Sequence, residues 1–189
     1  MSSNIWLIGD DSNVVIVDAG NEAQPIIDAA AGRNVTAVIC THGHNDHVTV
    51  APELGERLHC PVLLHPGDDM LWKMTHPEQP YWRLDDGQRI GIAGTQIEVI
   101  RTPGHSPGSC CLYLAEAGVL FSGDTLFSGG PGATGRFFFG LSHDRGLHPR
   151  ATLHAARGYP GAHRARRCNH HRGRGGLSDR VDRARVLRP

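Results

Sequence analysis

Hydrophobic residues in the first two thirds of the chain form short runs that end in glycine or polar residues. The β-branched run at residues 14–18 predicts a buried strand. Residues 4–9 predict its antiparallel neighbour, because the turn-forming sequence DDSN lies between the two. Similar runs predict further strands at residues 35–40, 62–64, 96–100, 110–114 and 119–121.

Two helices are predicted between the early strands. Residues 25–31 begin with a proline, which the first helical turn tolerates, and they are followed by a glycine that ends the helix. Residues 48–58 predict the second helix. Residues 70–86 predict a loop whose aromatic residues, Trp72, Tyr81 and Trp82, pack together. Strands alternate with helices early and form hairpins later, which favours an α+β fold with two sheets face to face and helices outside.

Length and composition are typical of one globular domain. A chain of 189 residues can bury a sizeable core. No run approaches 18 apolar residues, so no transmembrane helix is expected. The first residues lack a basic segment followed by an apolar one, so no secretory signal is expected. The five cysteines form no CxxC pair and their number is odd, which favours reduced thiols and a cytoplasmic location.

The net charge of zero conceals an asymmetry between the two parts of the chain. Residues 1–135 contain 6 basic and 16 acidic residues, whereas residues 136–189 contain 13 arginines and 3 aspartates. A basic tail of this kind is typical of proteins that bind nucleic acid. The tail has few aromatic residues among its arginines, which does not favour nucleic acid as a partner.

The densest chemical motif is THGHNDH at residues 41–47, which begins where a predicted strand ends. It places three imidazoles and one carboxylate within six residues. Nitrogen and oxygen donors of this kind suit Zn²⁺ or a similar divalent ion. A single histidine is most often a surface or core residue, but burying four such donors together without a metal would be costly.

Two later segments repeat the order of strand followed by donor. His105 lies in the sequence TPGHS after the strand at residues 96–100, and Asp124 follows the strand at residues 119–121 in the sequence FSGDT. Alone, each is weak, because turn histidines and capping aspartates are common. Together with the first motif they predict that donors meet at one edge of a sheet.

These motifs resemble those of the metallo-β-lactamase family. THGHNDH matches the HxHxDH signature, and TPGHSPGS and FSGDTLF are similar to the next two motifs, in the same order. Residues 127–136 resemble the segment that follows the aspartate in glyoxalase II-like members. The resemblance covers residues 4–138 and implies a four-layer αββα sandwich with the site along one edge of its two sheets.

The resemblance also implies a metal site and an activity. It implies six ligands for a pair of metals: His42, His44 and His105 on the first, Asp46 and His47 on the second, and Asp124 bridging both. The expected ions are two Zn²⁺, with Fe or Mn as alternatives. Two such ions generate a hydroxide that attacks a polarised carbonyl, and Asp46 is expected to orient it as a catalytic residue. The implied substrate is a small-molecule thioester or ester, as in glyoxalase II, with no membrane partner.

The tail lacks the late histidine of glyoxalase II-like members, which lies in a sequence resembling HTGHGD and completes the second metal. Reading the codons of residues 163–171 one base later allows TGHGDATT, and the same offset at residues 139–144 allows SDFPTI. We therefore predict a metallo-hydrolase domain at residues 1–138 and a frameshifted, poorly ordered tail at residues 139–189 that weakens the second metal position.

Four alternatives stay open. The same fold and the same four residues, His42, His44, His105 and Asp124, could serve a mononuclear-iron persulfide dioxygenase, which needs no late histidine. A lactone or another ester could replace the thioester. The chain could also bind nucleic acid through its arginines, or be an inactive product.

Overall fold

The first sheet contains the strands predicted near the start of the chain. The computed structural model describes residues 3–127 and 130–134 and the backbone of residues 185–187. The sheet has six strands in the order β12, β1, β2, β3, β4, β5. Strands β2 to β5 run parallel, and β1 and β12 are antiparallel to their neighbours. The strands are β1 (Ile5–Gly9), β2 (Asn13–Val17), β3 (Asn34–Ile39), β4 (Val62–Leu64), β5 (Trp82–Arg83) and β12 (Arg185–Leu187).

The second sheet is an antiparallel meander of four strands, with a small hairpin beyond it. Each strand pairs with the next one along the chain. The strands are β6 (Arg89–Ile92), β7 (Thr95–Arg101), β8 (Cys110–Leu114) and β9 (Val119–Phe121). The hairpin consists of β10 (Leu126–Phe127) and β11 (Gly130–Pro131).

Helices cover one face of the first sheet, and the second sheet covers the other. The helices are α1 (Ala23–Ala30), α2 (Asn45–Val48), α3 (Ala51–Arg57) and α4 (Asp69–Thr75). Val14 and Ile16 of β2 face the helices, while Val15 and Val17 face the second sheet, as the two-residue period of a strand requires. The predicted α+β class, with two sheets face to face and helices outside, is confirmed. Three of the four layers, one of helices and two of strands, lie within the described residues.

The helix predicted at residues 48–58 is confirmed as α3, but its beginning was predicted three residues too early, because a break separates α3 from the short helix α2. Helix α2 begins earlier, at Asn45, inside the histidine motif. Between α2 and α3 the N–H of Val50 donates to the carbonyls of Ala19 and Gly20 instead of to a preceding turn. Helix α3 then starts anew with Pro52 in its first turn, where the missing N–H of proline is harmless.

The stretch predicted as a loop at residues 70–86 contains most of helix α4 and the short strand β5. Trp72 of α4 is buried and its indole N–H donates to the carbonyl of Gln79. The rings of Trp72 and Tyr81 meet edge to face at 5.3 Å, which confirms their packing. Trp82 does not join them, since it is 69% exposed.

Most of the predicted tail lies outside the described residues. The prediction that the tail is poorly ordered concerns these residues and stays a prediction. Its three described residues, Arg185–Leu187, pair antiparallel with β1. None of the described helices is both long enough and apolar enough to cross a bilayer.

Candidate metal centre

The topology brings three loops to one edge of the sandwich. Strands β2 and β3 are parallel, so they end at the same edge of the first sheet. Strands β7 and β9 are both antiparallel to β8, so they too end together. The two edges meet where the backbone N–H of Cys110 donates to the carbonyl of Thr41, at 2.8 Å. The loops after β3, β7 and β9 carry the predicted donors, which explains why residues far apart in sequence become neighbours.

The first group of donors consists of His42, His44 and His105, which we call the first triad. Their ligand atoms lie within 4.8 Å of one another, and Nδ1 of His44 is 3.0 Å from Nε2 of His105. His42 and His105 are buried, and His44 is partly exposed. Three imidazole nitrogens thus converge on one point that solvent can reach.

The second group consists of His42, His47 and Asp124, which we call the second triad. Their ligand atoms also lie within 4.8 Å of one another. Nε2 of His47 is 3.5 Å from Oδ1 of Asp124, and the other oxygen of Asp124 is 3.5 Å from Nε2 of His105. Asp124 therefore faces both triads, the placement expected of a bridging carboxylate.

Asp46 lies at the rim of the centre. Its Oδ2 is 3.9 Å from Nε2 of His47, and its side chain is 30% exposed. Within residues 3–127 and 130–134, five of the six predicted ligands fall into the two triads and Asp46 into neither. The resemblance implied that Asp46 belongs to the second set of ligands, but the second triad contains His42 instead. His42 belongs to both triads because it lies between them.

The pKa values of two histidines of the first triad are lowered, which favours the neutral form that can bind a metal cation. Burial is the main cause that lowers the pKa of His42 well below its ordinary value, and the neighbouring histidines lower it further. Burial also lowers the pKa of His44, again with help from His105. Neutral imidazoles are the form that binds a metal. Nε2 of His42 is buried without a hydrogen-bond partner among the described residues, which is costly unless an ion meets it. The residues present therefore fit a metal.

Asp18 supports the second triad from behind. Its Oδ2 lies 2.9 Å from Nδ1 of His47, and both side chains are almost fully buried. Burial lowers the pKa of His47, but the charge and hydrogen bond of Asp18, with the charges of Asp124 and Asp46, raise it to about 9. Asp18 also accepts hydrogen bonds from the backbone N–H and the hydroxyl of Thr41. It therefore fixes His47 with Nε2 directed towards Asp124.

We expect Asp18→Asn to lower the free energy of unfolding of the metal-free protein by about 3 kcal/mol, because it leaves a buried imidazolium without its counter-charge. The measurement is denaturant unfolding at pH 7 with a chelator present, below the folded pKa of His47. The matched control is Asp28→Asn, on an exposed aspartate of α1 that accepts a hydrogen bond from Gln24. A loss of less than about 0.5 kcal/mol for Asp18→Asn would contradict this support.

A cavity of about 100 Å³ opens beside the second triad. Its polar side includes Thr41, His47 and Asp124. Its apolar side includes Trp6 and Phe121, whose rings meet edge to face at 5.3 Å. Polar groups around an open space of this size provide room for water next to the candidate metal positions.

Two buried aspartates near the triads were not predicted as site residues. Asp18 had a signal in the sequence, since it is a carboxylate that directly follows a β-branched run. Asp68 had none, because it stands beside Asp69 in the sequence HPGDDM. Only the fold distinguishes Asp68 from Asp69: Asp68 is fully buried, whereas Asp69 is partly exposed and pairs with Lys73.

Comparisons with known proteins agree with this geometry. The family model described as the metallo-beta-lactamase superfamily matches residues 1–167. The probable metallo-hydrolase YqgX of Bacillus subtilis is 32% identical over 149 residues, which are 71% of each chain. A hydroxyacylglutathione hydrolase of Aeromonas hydrophila is 40% identical over 139 residues, which are 72% of this chain and 50% of that protein. This chain thus spans about half the length of that hydrolase.

One solved structure resembles this chain both in fold and in sequence. The crystal structure of TTHA1623 in a di-iron-bound form has 29% sequence identity with this chain and a TM-score of 0.65. The match covers 82% of this chain and 79% of that one. The two proteins are therefore similar in sequence as well as in fold.

Proposed function

Since this chain belongs to the metallo-beta-lactamase superfamily as a metallo-hydrolase, we propose that it hydrolyses thioesters of a small thiol. The observation that carries the proposal is the convergence of the first and second triads, with Nε2 of His42 buried and without a hydrogen-bond partner among the described residues. The identity of 40% to a hydroxyacylglutathione hydrolase supports a thioester over other acyl substrates.

The candidate ligands divide into the two sets that the sequence suggests. His42, His44 and His105 would hold the first metal, His47 and Asp46 the second, and Asp124 both. When bound, two Zn²⁺ ions supply a water of lowered pKa and polarise a substrate carbonyl. Iron or manganese would suit the same nitrogen and oxygen donors.

The chain's own groups then position the reactants. Asp46 is partly exposed at the rim, so its carboxylate can accept a hydrogen bond from the attacking water and orient it towards the carbonyl. The oxygen of the water adds to the carbonyl carbon, and its proton passes to solvent. The carbon–sulfur bond then breaks, and the sulfur leaves with the electron pair as a thiolate. A thiolate of ordinary pKa needs little protonation at neutral pH, so the site requires no separate strong acid.

The test is hydrolysis of acyl-glutathione and other small-thiol thioesters, followed by release of the free thiol. We expect metal-dependent release that a chelator removes and added Zn²⁺ restores. Faster hydrolysis of a lactone would overturn the substrate class. Bound iron with oxygen uptake on a persulfide would overturn hydrolysis itself and favour the dioxygenase.

We expect the purified chain to hold one metal equivalent tightly and a second at least about tenfold more weakly. The reason is that residues 139–189 contain no sequence resembling HTGHGD, from which the last ligand of the second metal would come. Metal analysis after dialysis measures how many equivalents are held tightly, and a titration of the metal-free protein measures the two affinities. Two equally tight equivalents per chain would contradict the prediction.

A further inference from the structure

One buried carboxylate joins the two loops that carry the first triad. Asp68 ends a short 3₁₀ turn, Pro66–Asp68, directly after β4, and its side chain is fully buried. Its Oδ2 accepts a hydrogen bond from the backbone N–H of Gly43, at 2.8 Å, and one from the hydroxyl of Ser106, at 2.6 Å. Its Oδ1 accepts from the backbone N–H of Gly108, at 2.6 Å. Gly43 lies between His42 and His44 in the sequence, and Ser106 follows His105.

Both glycines are required by the close approach of this carboxylate. A Cβ on Gly43 would lie 3.0 Å from Cβ of Asp68 and 2.8 Å from Cβ of Leu71. A Cβ on Gly108 would lie 2.7 Å from Cγ of Asp68. Real Cβ atoms do not approach other atoms this closely, so the loops are built around Asp68.

The charge of Asp68 has no cationic partner in these contacts. Its three donors are two backbone amides and one hydroxyl, all neutral. In a buried environment, such a charge acts on its surroundings more strongly than it would in water. The nearest effect is on His44: burial and His105 lower its pKa, and the charge of Asp68 opposes them. The same charge favours a cation bound by the first triad.

We propose that Asp68 is a positioning residue for the first metal, holding the loops of His44 and His105 at the separation that metal binding needs. Asp68 contacts no ligand side chain through these three bonds; it acts through the backbone on either side of the ligands. The proposal rests on the metal-dependent function proposed above.

Asparagine cannot substitute for Asp68, although it has the same shape. Each oxygen of Asp68 accepts from a backbone N–H whose direction is fixed, Gly43 on one side and Gly108 on the other. An amide group offers one oxygen and one NH₂, so in either orientation an NH₂ faces a backbone N–H. One loop must therefore move away, and the negative charge is lost as well.

The experiment titrates metal-free wild-type, Asp68→Asn and Asp69→Asn proteins with Co²⁺ against a competing chelator and records the visible spectrum. We expect Asp68→Asn to weaken the first equivalent by about 10- to 100-fold and to change its spectrum. The second equivalent should change by less than about threefold, since Asp18 supports that position separately. Circular dichroism establishes that each variant is folded at the temperature used.

Asp69→Asn is the matched control, because it removes the same charge from the next residue. Asp69 is partly exposed and accepts hydrogen bonds from Lys73 and Tyr81, not from the loops of the first triad, so both equivalents should bind as in the wild type. Equal weakening of both equivalents by Asp68→Asn would show a general structural role and overturn the proposal. So would unchanged binding and an unchanged spectrum. Failure of the wild type to bind Co²⁺ would instead overturn the proposed function.

Ser106→Ala gives a second test if Asp68→Asn does not fold. It removes one donor and leaves both backbone amides on the carboxylate. We expect the first equivalent to weaken by about fivefold, the loss of one hydrogen bond to a charged group. Unchanged binding of the first equivalent by folded Ser106→Ala would overturn the proposal.

Discussion

Replacing His42 by asparagine is expected to abolish tight binding of the first metal and to lower thioester hydrolysis by at least about a thousandfold, the loss of roughly 4 kcal/mol of transition-state stabilisation. His42 has this effect because it is one of the three imidazoles of the first triad and its buried Nε2 has no hydrogen-bond partner among the described residues. An asparagine side chain is too short to replace that nitrogen. The measurements are metal content after dialysis and initial rates of thiol release at saturating metal.

The control for this variant is His59→Asn. His59 is exposed and has a φ of 54°, a left-handed conformation that asparagine tolerates well. We expect its metal content and rate to equal those of the wild type. If His42→Asn kept the tightly bound equivalent, or kept more than about a tenth of the rate, His42 would not be a ligand of the first metal.

The second large effect is expected from the tail. Under the frameshift hypothesis, shifting the reading frame by one base near codons 136–139 replaces residues 139–189 by a sequence whose codons allow the family-like TGHGD. We expect this frame-restored chain to bind the second metal at least about a hundredfold more tightly, because it regains a histidine ligand. Hydrolysis should rise by at least about tenfold, since both metals act on the reactants.

The two chains are best compared side by side, with equal metal and at equal concentrations of folded protein. His42→Asn in the frame-restored background is the control, because it should remove the gain. Equal rates and equal second-metal affinities in the two chains would contradict the frameshift hypothesis. An uninterrupted gene that encodes the present tail in other sources would contradict it as well.

Much of the strand structure could be predicted from the sequence because local patterns decide it. Strands β8 and β9 lie where the apolar runs at residues 110–114 and 119–121 place them. Each run is bounded by residues that end strands. The start of the helix predicted at residues 48–58 was misplaced because the N–H of Val50 donates to carbonyls of Ala19 and Gly20, about thirty residues earlier. A local pattern contains no information on such a contact.

The same distinction holds within the site. His42, His44, Asp46 and His47 could be predicted because they are crowded into one motif. Asp68 could not, because its partners lie 25, 38 and 40 residues away in the sequence. Its role follows only from the loops that the fold brings around it. The proposed metal ligands are therefore easier to predict here than the residue proposed to hold them in place.

X-ray absorption of the protein loaded with one equivalent of Zn²⁺ tests most directly whether the first triad binds a metal. The account predicts three imidazole nitrogens at about 2.0–2.1 Å from the metal, because His42, His44 and His105 direct one nitrogen each to a common point. The spectrum of His42→Asn should lack this shell of three imidazole nitrogens. A metal surrounded by oxygen atoms alone, with a spectrum that does not change in His42→Asn, would contradict the account.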